Sequence, residues 1–206
     1  MLYDYLLKMY EPNEPIFLAD IELEVSNNNL RQMFKNLCDS GKILRYDSGV
    51  YYIPKQSRLK GAVPFTAEKV ALYKYVLRKG KVEGYYSGFT FANQMGITAQ
   101  VPVTQEIVSN YASAITREVN IQGLRLILRR PRTKVTDDNF RVLQLLDLLK
   151  DINLYSDDEI ENIPDRIAQY MIQEKITQAM VDKYLSLYPD KIYKNLYEMR
   201  LYNVFA

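Results

Sequence analysis

Apolar and polar positions in the first 25 residues predict a helix, a short strand and a second small helix. The apolar residues of the first helix recur at helical spacing until Pro12 and Pro15, which stop the helix. Residues 16–18 form a short apolar run, and a small helix is predicted over residues 19–24. The inward positions of the first helix are Leu2, Tyr5, Leu6 and Met9.

A capped amphipathic helix and a tight hairpin follow. Ser26 is a favoured N-cap residue, and Gly41 is a C-terminal stop. Two strands are predicted at residues 42–46 and 50–53 around a short turn in which Gly49 supplies a positive φ. The order helix, strand, helix, helix and hairpin predicts a winged helix-turn-helix DNA-binding domain in residues 1–55. The apolar stripe of the capped helix consists of Leu30, Met33, Phe34 and Leu37.

Residues 60–206 predict a second domain of the α+β class, a small sheet followed by a helical C-terminal tail. A linker is predicted at residues 56–62, and a helix runs from Thr66 to about Lys79. The tail from residue 157 onward is helical by periodicity, with breaks at Pro164 and Pro189. Between them the pattern predicts a helix at 89–95, a strand at 106–108, a hairpin of strands 117–121 and 124–128, and a helix after Thr136.

The composition favours a binding module over an enzyme. The chain has 206 residues, no His and one Cys, so His-dependent nucleophile systems and Cys or His zinc sites are excluded. Neither a Walker-type loop nor a GxGxxG motif occurs. We therefore expect no catalytic residues, no metal site and no cofactor. No apolar run reaches the roughly 18–20 residues of a membrane span, and no signal-peptide pattern is present, so a cytoplasmic protein is predicted.

Charge is unevenly placed along the chain. The net charge is only +2, but bases dominate residues 26–134 and acids dominate both ends. A basic block between acidic ends indicates one surface that faces a polyanion.

The polar face of the helix at residues 26–40 carries the residue types that contact DNA bases. Asn and Gln pair bidentately with adenine, Arg pairs with guanine, and Lys binds phosphate. Three asparagines lie in the first turn, where recognition helices usually touch base edges. The alternative is an ordinary capped and solvated helix face. The predicted contacts with double-stranded operator DNA are Ser26, Asn27, Asn28, Asn29, Arg31, Gln32, Lys35 and, in the hairpin, Lys42 and Arg45.

A second basic segment lies at residues 117–134. Its arginines are candidate contacts with DNA phosphates or with an acidic partner protein. A solvated strand and loop would have the same composition. The candidates are Arg117, Arg125, Arg129, Arg130 and Arg132.

Residues 86–102 resemble a segment of the AbiEi family of antitoxins and their transcriptional-regulator relatives. The family pattern is a Ser-Gly, a short helix that contains Ala, a Gly-Leu-Thr-like turn and then Gln-Val-Pro. Ile97 replaces the Leu here, and the similarity covers about residues 15–130. The matching residues are Ser87, Gly88, Ala92, Gly96, Ile97, Thr98, Gln100, Val101 and Pro102.

The resemblance implies a winged helix that represses the protein's own operon. It also implies a second domain that counters a cognate nucleotidyltransferase toxin, as in type IV toxin–antitoxin systems of phage defence, and no catalysis by this chain. Two alternatives stay open. The first is a free-standing winged-helix transcriptional regulator whose second domain binds a ligand or a protein. The second is a magnesium-dependent nucleic-acid enzyme that uses acids of the tail such as Asp157 and Asp158, with Asp137, Asp138 and Asp151 as further acids that could suggest a magnesium site.

Overall fold

The computed structural model describes residues 2–55, 65–156 and 161–205, and the predicted linker at 56–62 lies outside them. The chain forms two compact units, Met1–Val70 and Ala71–Ala206. The first unit extends beyond the hairpin because Phe65 packs on it. The Phe65 ring stacks on Tyr52 at a centroid distance of 4.2 Å and meets the Tyr46 ring edge-on at 4.9 Å.

Residues 2–55 of the first unit form two α-helices and a three-stranded antiparallel sheet of order β1-β3-β2. Its helices and strands are α1 (Leu2–Met9), β1 (Ile16–Phe17), α2 (Asn27–Asp39), β2 (Leu44–Asp47) and β3 (Val50–Tyr52). A single core joins them, in which Leu6, Ile16, Phe34 and Ile43 are fully buried. The predicted capped helix and hairpin are therefore present, within one or two residues of their expected ends.

The small helix predicted at residues 19–24 is wrong. Only Leu18–Asp20 is helical, as one turn of 3-10 helix, and Ile21 is already extended. Asp20 and Glu24 would lie one turn apart on an α-helix, and like charges at that spacing are destabilising. The main chain is held instead by the amide of Leu18, which donates to the carbonyl oxygen of Gly49 in the hairpin at 2.9 Å.

The second unit is a mixed α+β structure with small sheets. A two-stranded sheet pairs β4 with β5, and a four-stranded sheet has the order β6-β7-β9-β8. The strands are β4 (Leu77–Arg78), β5 (Lys81–Val82), β6 (Gly84–Ser87), β7 (Thr104–Ser109), β8 (Thr116–Ile121) and β9 (Leu124–Arg129). β7 and β9 are parallel, whereas the other pairs are antiparallel. This parallel pairing places Val108 beside Arg129 and Glu106 beside Ile127.

One helix forms the centre of the second unit's core. α5 is buried continuously from Val142 to Leu149, against β6 on one side and the later helices on the other. The remaining tail is helical, as predicted, although Pro164 occupies the first turn of a helix rather than breaking one, a position that Pro tolerates. The helices are α3 (Ala67–Ala71), α4 (Gly88–Gln94), α5 (Phe140–Lys150), α6 (Ile152–Tyr155), α7 (Ile163–Gln173), α8 (Gln178–Leu185) and α9 (Lys191–Glu198).

The helix predicted from Thr66 to Lys79 ends early. α3 widens into a π-helical turn over Leu72–Val76, and the chain then enters β4. Lys79 and Gly80 both have positive φ, as the two central residues of a tight hairpin turn require. Residues 77–79 therefore belong to the hairpin of β4 and β5 and not to the predicted helix.

None of the helices in the described part of the chain combines the length and apolar character needed to cross a membrane.

Candidate nucleic-acid interface

The rotation of α2 about its axis is fixed by its two buried side chains. Leu30 and Phe34 face the core of the first unit, and the Phe34 ring lies 4.8 Å from the ring of Tyr51 on β3. At its N-terminus, Oγ of Ser26 accepts a hydrogen bond from the amide of Asn29 at 3.3 Å. The cap and the core together turn the opposite face of the helix to solvent.

That exposed face contains every residue predicted for it. The members are Ser26, Asn27, Asn28, Asn29, Arg31, Gln32 and Lys35. Arg31 and Lys35 lie one helical turn apart, and among the described residues neither forms an ion pair. Two like charges on adjacent turns are mildly unfavourable in the free protein. A phosphate or a guanine edge would relieve that repulsion.

Gln32 is oriented by a neighbour on the same face. Its Nε2 donates a hydrogen bond of 3.0 Å to Oδ1 of Asn36. The amide retains its second N–H and its oxygen, which are the donor and acceptor that pair with N7 and N6 of adenine. Asn36 is not among the predicted contacts, and the i, i+4 spacing of Gln and Asn on a helix was the available signal for this bond.

The two DNA contacts predicted for the hairpin region, Arg45 and Lys42, have different surroundings. The Nε of Arg45 donates to the carbonyl oxygen of Asp47 at 3.2 Å, beside an irregularity in the strand pairing, and the side chain is exposed. Lys42 lies between α2 and β2, with its Nζ 5.2 Å from the centre of the Tyr3 ring. α2 rises about 1.5 Å per residue, so its last residue, Asp39, lies about 18 Å along the axis from Asn27. Lys42 follows this end of the helix, and its main-chain amide donates to the carbonyl oxygen of Leu37 at 3.0 Å. Lys42 therefore lies at the opposite end of α2 from the asparagines of the first turn.

The five candidate arginines of the second unit do not act as one group. Arg129, Arg130 and Arg132 line a single cavity of about 330 Å³ beside α5. Arg125 shares a strand with Arg129 but lies outside this cavity, and Arg117 pairs with Leu128, which places it on the other face of the sheet. Successive side chains of a strand point to opposite faces, which separates Arg117 from Arg129. Arg125 is on the same face as Arg129 but lies at the other end of β9.

The cavity also contains acidic residues that sequence reasoning missed. Arg129 donates to Oε2 of Glu106 at 2.7 Å, and Oδ2 of the buried Asp147 accepts from the hydroxyl of Tyr85 at 2.6 Å. Burial raises the pKa of Asp147 and also raises the pKa of Tyr85. The available signal was the presence of Gln144 and Asp147 within an otherwise apolar helix, since a polar residue there needs a partner.

The segment that resembles AbiEi antitoxins supports this acidic wall. Gly88 has φ +57°, and a side chain there would collide with the carboxylate of Glu106. The main-chain amide of Glu106 donates to Oγ1 of Thr90 at 2.9 Å. The hydrogen bond from Glu106 to Thr90 and the close approach of Glu106 to Gly88 therefore hold β7 beside α4. This part of the segment has a structural role.

The acids suggested for a magnesium site have other roles where they are described. Oδ1 of Asp137 accepts from the amide of Val82 at 3.1 Å, and Asp151 pairs with Lys150 and Lys191. No cluster of three or more potential metal ligands is found within residues 2–55, 65–156 and 161–205. Asp157 and Asp158 lie outside the described residues.

Comparison with known proteins assigns a family. A family model described as "Family of unknown function (DUF6088)" matches residues 7–179. The chain belongs to the DUF6088 family. The match includes α2, the hairpin and the whole cavity of the second unit. Among curated proteins, none matches this chain significantly. The DUF6088 description names no function, so the resemblance to AbiEi antitoxins and the DNA-binding role stay predictions.

Proposed function

We propose that this chain is a DNA-binding transcriptional repressor whose first unit binds its operator as a winged helix-turn-helix. The observation that carries the proposal is the exposed polar face of α2, which lies opposite the buried Leu30 and Phe34. On this face Arg31 and Lys35 form no ion pair among the described residues, and Gln32 donates a hydrogen bond to Asn36 while it keeps a second N–H and its oxygen for a base edge.

The topology of the first unit supports this role. Helix, strand, helix and hairpin follow in the order expected of a winged helix, and the first strand pairs with the last. The helix before the recognition helix is reduced to the turn at Leu18–Asp20. α2 enters the major groove with its N-terminal residues in this proposal, and the hairpin containing Arg45 contacts the neighbouring backbone or minor groove.

The experiment is a footprint of the full-length chain on the DNA upstream of its own gene. We expect protection of one or two short segments, and a matched duplex with scrambled sequence should bind at least tenfold more weakly, as specific sites usually do. The variant Arg31→Lys keeps the charge but removes bidentate pairing, so it should keep non-specific binding and lose the footprint. Equal affinity for both duplexes would contradict sequence-specific repression.

We further propose that the second unit acts as an antitoxin against a nucleotidyltransferase toxin, and that the chain has no catalytic activity of its own. The resemblance at residues 86–102 supports this role. In that segment Val101 and Val103 are 80% and 83% exposed on either side of Pro102, which gives a protein partner an apolar surface. Arg117 and Arg125, exposed outside the cavity, are the remaining candidate partner or DNA contacts.

Co-expression with the neighbouring gene tests the antitoxin role by cell growth. The full chain should restore growth. The double variant Val101→Asp, Val103→Asp should fail to restore growth while it still binds operator DNA, because the changes are confined to an exposed segment of the second unit. A control pair, Ile172→Asp and Leu154→Asp, changes equally exposed apolar residues elsewhere and should still protect. If no neighbouring gene is toxic, the free-standing regulator replaces the antitoxin.

A further inference from the structure

The cavity of the second unit has an excess of positive charge. Each of its two carboxylates already has a cationic partner. Glu106 accepts from Arg129 at 2.7 Å, and Asp147 lies 3.6 Å from Nζ of Lys150. Arg130 and Arg132 also line the cavity, and among the described residues neither pairs with a carboxylate. The four cations of the wall outnumber its two carboxylates by two, and the attraction between Arg132 and Asp147 offsets part of this excess.

Both of these guanidinium groups are held in place by neutral partners. Arg130 donates from Nη2 to the carbonyl oxygen of Ser113 at 3.1 Å, and Arg132 donates from Nη1 to that of Leu187 at 3.0 Å. The Arg132 guanidinium also lies 4.8 Å from the centre of the Tyr188 ring. A guanidinium group has five N–H donors, so each retains others for a ligand. Cations that are fixed before binding lose little entropy when an anion binds.

The rest of the wall suits an organic body attached to that anion. Val108, Ile115, Pro131 and the ring of Tyr155 contribute apolar surface, and Ser87 contributes a hydroxyl group. A volume of about 330 Å³ lies at the lower end of the range for small-molecule sites. Inorganic phosphate would leave most of this space unfilled.

We propose that this cavity binds a small phosphate monoester, a mononucleotide or a sugar phosphate, whose phosphate group lies on Arg130 and Arg132. Planar guanidinium groups match phosphate oxygens in bidentate geometry, which explains why arginines line this wall. The site goes beyond DNA binding by the first unit and does not depend on it.

Titration calorimetry on the full-length chain tests the site with four probes: adenosine monophosphate, ribose 5-phosphate, adenosine and inorganic phosphate. We expect one equivalent of at least one phosphate ester to bind. Binding of the nucleotide alone identifies the base as part of the ligand, whereas binding of both esters identifies the sugar phosphate as sufficient. Adenosine and inorganic phosphate should bind at least tenfold more weakly, the ratio that corresponds to 1.4 kcal/mol.

Variants locate the binding. Arg130→Gln should weaken the ester at least tenfold, whereas Arg125→Gln, on the same basic segment but outside the cavity, should leave the affinity unchanged. Ile115 is 79% exposed at the rim, so Ile115→Glu should repel the phosphate without disturbing the fold, and Ile115→Gln is its neutral control. For Arg132→Gln the melting temperature is measured along with the affinity for the ester, because this change also removes the interaction with the Tyr188 ring.

Three results would overturn the proposal. The first is no binding of either ester up to about 10 mM, weaker than any affinity that a built site would give. The second is ester binding that survives both Arg130→Gln and Ile115→Glu. The third is equal affinity for inorganic phosphate or adenosine. If neither ester binds the wild type and Arg130→Gln also loses operator affinity, these arginines belong to DNA binding.

Discussion

The hydroxyl of Tyr85 on β6 donates a 2.6 Å hydrogen bond to Oδ2 of Asp147 on α5, joining residues 62 positions apart in the centre of the second unit. Asp147 is 8% exposed, so water cannot fully replace this hydrogen bond. We expect Tyr85→Phe to lower the free energy of unfolding by about 1–3 kcal/mol, the cost of an unsatisfied buried acceptor. Denaturant unfolding of the wild type and the variant measures this difference. A change below about 0.5 kcal/mol, the size of an ordinary surface effect, would show that the bond is not structural.

Ionisation of Asp147 should make the stability of the second unit depend on pH. Burial raises the pKa of Asp147 above its usual value, even though Tyr85 and Lys150 act in the opposite direction. A carboxyl whose pKa is raised by folding contributes its full stability below the unfolded value, and this contribution disappears as pH rises through the folded value. Asp147→Asn should therefore become more stable relative to the wild type as pH rises from about 4, near the unfolded value, towards neutrality.

The pH dependence is measured by denaturant unfolding at a series of pH values. Asn retains an oxygen that can accept the Tyr85 hydrogen bond, so the variant isolates the charge. Asp165→Asn, which changes an exposed acid on α7, is measured in parallel for comparison. A free energy of unfolding of Asp147→Asn that falls relative to that of the wild type as pH rises would contradict the assignment.

Gly88 should be the least replaceable glycine of the segment that resembles AbiEi antitoxins. Gly88→Ala combines a left-handed backbone with a contact that forces the carboxylate of Glu106 away from Arg129, and we expect the free energy of unfolding to fall by about 1–3 kcal/mol, more than in the control. Gly80→Ala is the matched control, since Gly80 has φ +73° but nothing within 4 Å of an added Cβ. It should cost about 1 kcal/mol from the backbone alone. Equal effects of the two variants would show that Glu106 does not cause the penalty.

The sequence predicted the elements whose signals are local. Ser26 and the stripe through Leu30 and Phe34 locate α2, because a cap and a 3.6-residue period are both short-range features. The turn at Gln122-Gly123, in which both residues have positive φ, similarly locates the hairpin of β8 and β9.

The cavity could not be predicted in this way, because it depends on contacts between distant segments. The parallel pairing of β7 with β9 places Glu106 beside the strand that carries Arg129, and α5 adds Asp147 from the other side. The hydrophobic periodicity of a single segment does not indicate which strands will be its neighbours in the sheet. The register of β8 and β9 separates Arg117 from Arg129, whereas the sequence showed these arginines only as one basic run.

Ser26 offers a test that separates folding from DNA binding. Ser26→Ala removes the cap that Asn29 uses and should lower the stability of the first unit by about 1 kcal/mol. Ser26→Asp is an equally good cap, so its stability should match the wild type, but it adds a negative charge to the face proposed to meet DNA. Thermal unfolding and fluorescence anisotropy on the operator duplex measure the two properties. Undiminished operator affinity in Ser26→Asp would show that this end of α2 lies away from the phosphates.

The hairpin should contribute phosphate contacts that are independent of sequence. Arg45→Gln should weaken specific and scrambled duplexes alike and reduce the slope of log affinity against log salt by about one unit for each phosphate that Arg45 neutralises. Lys55→Gln, which removes the charge of an exposed lysine beyond β3, controls for the loss of one positive charge outside the hairpin. If the slope of Arg45→Gln equals that of the wild type, the hairpin has only a structural role.

Operator affinity of the double variant Arg31→Ala, Gln32→Ala tests the central claim most directly. These two residues carry the proposed base contacts of α2, and neither touches the core. Fluorescence anisotropy on the operator duplex, with the scrambled duplex as reference, should show binding weakened by about 1–3 kcal/mol for each bidentate pair, while the melting temperature stays at the wild-type value. Operator affinity equal to that of the wild type would contradict the account, because α2 would then not be the element that recognises DNA.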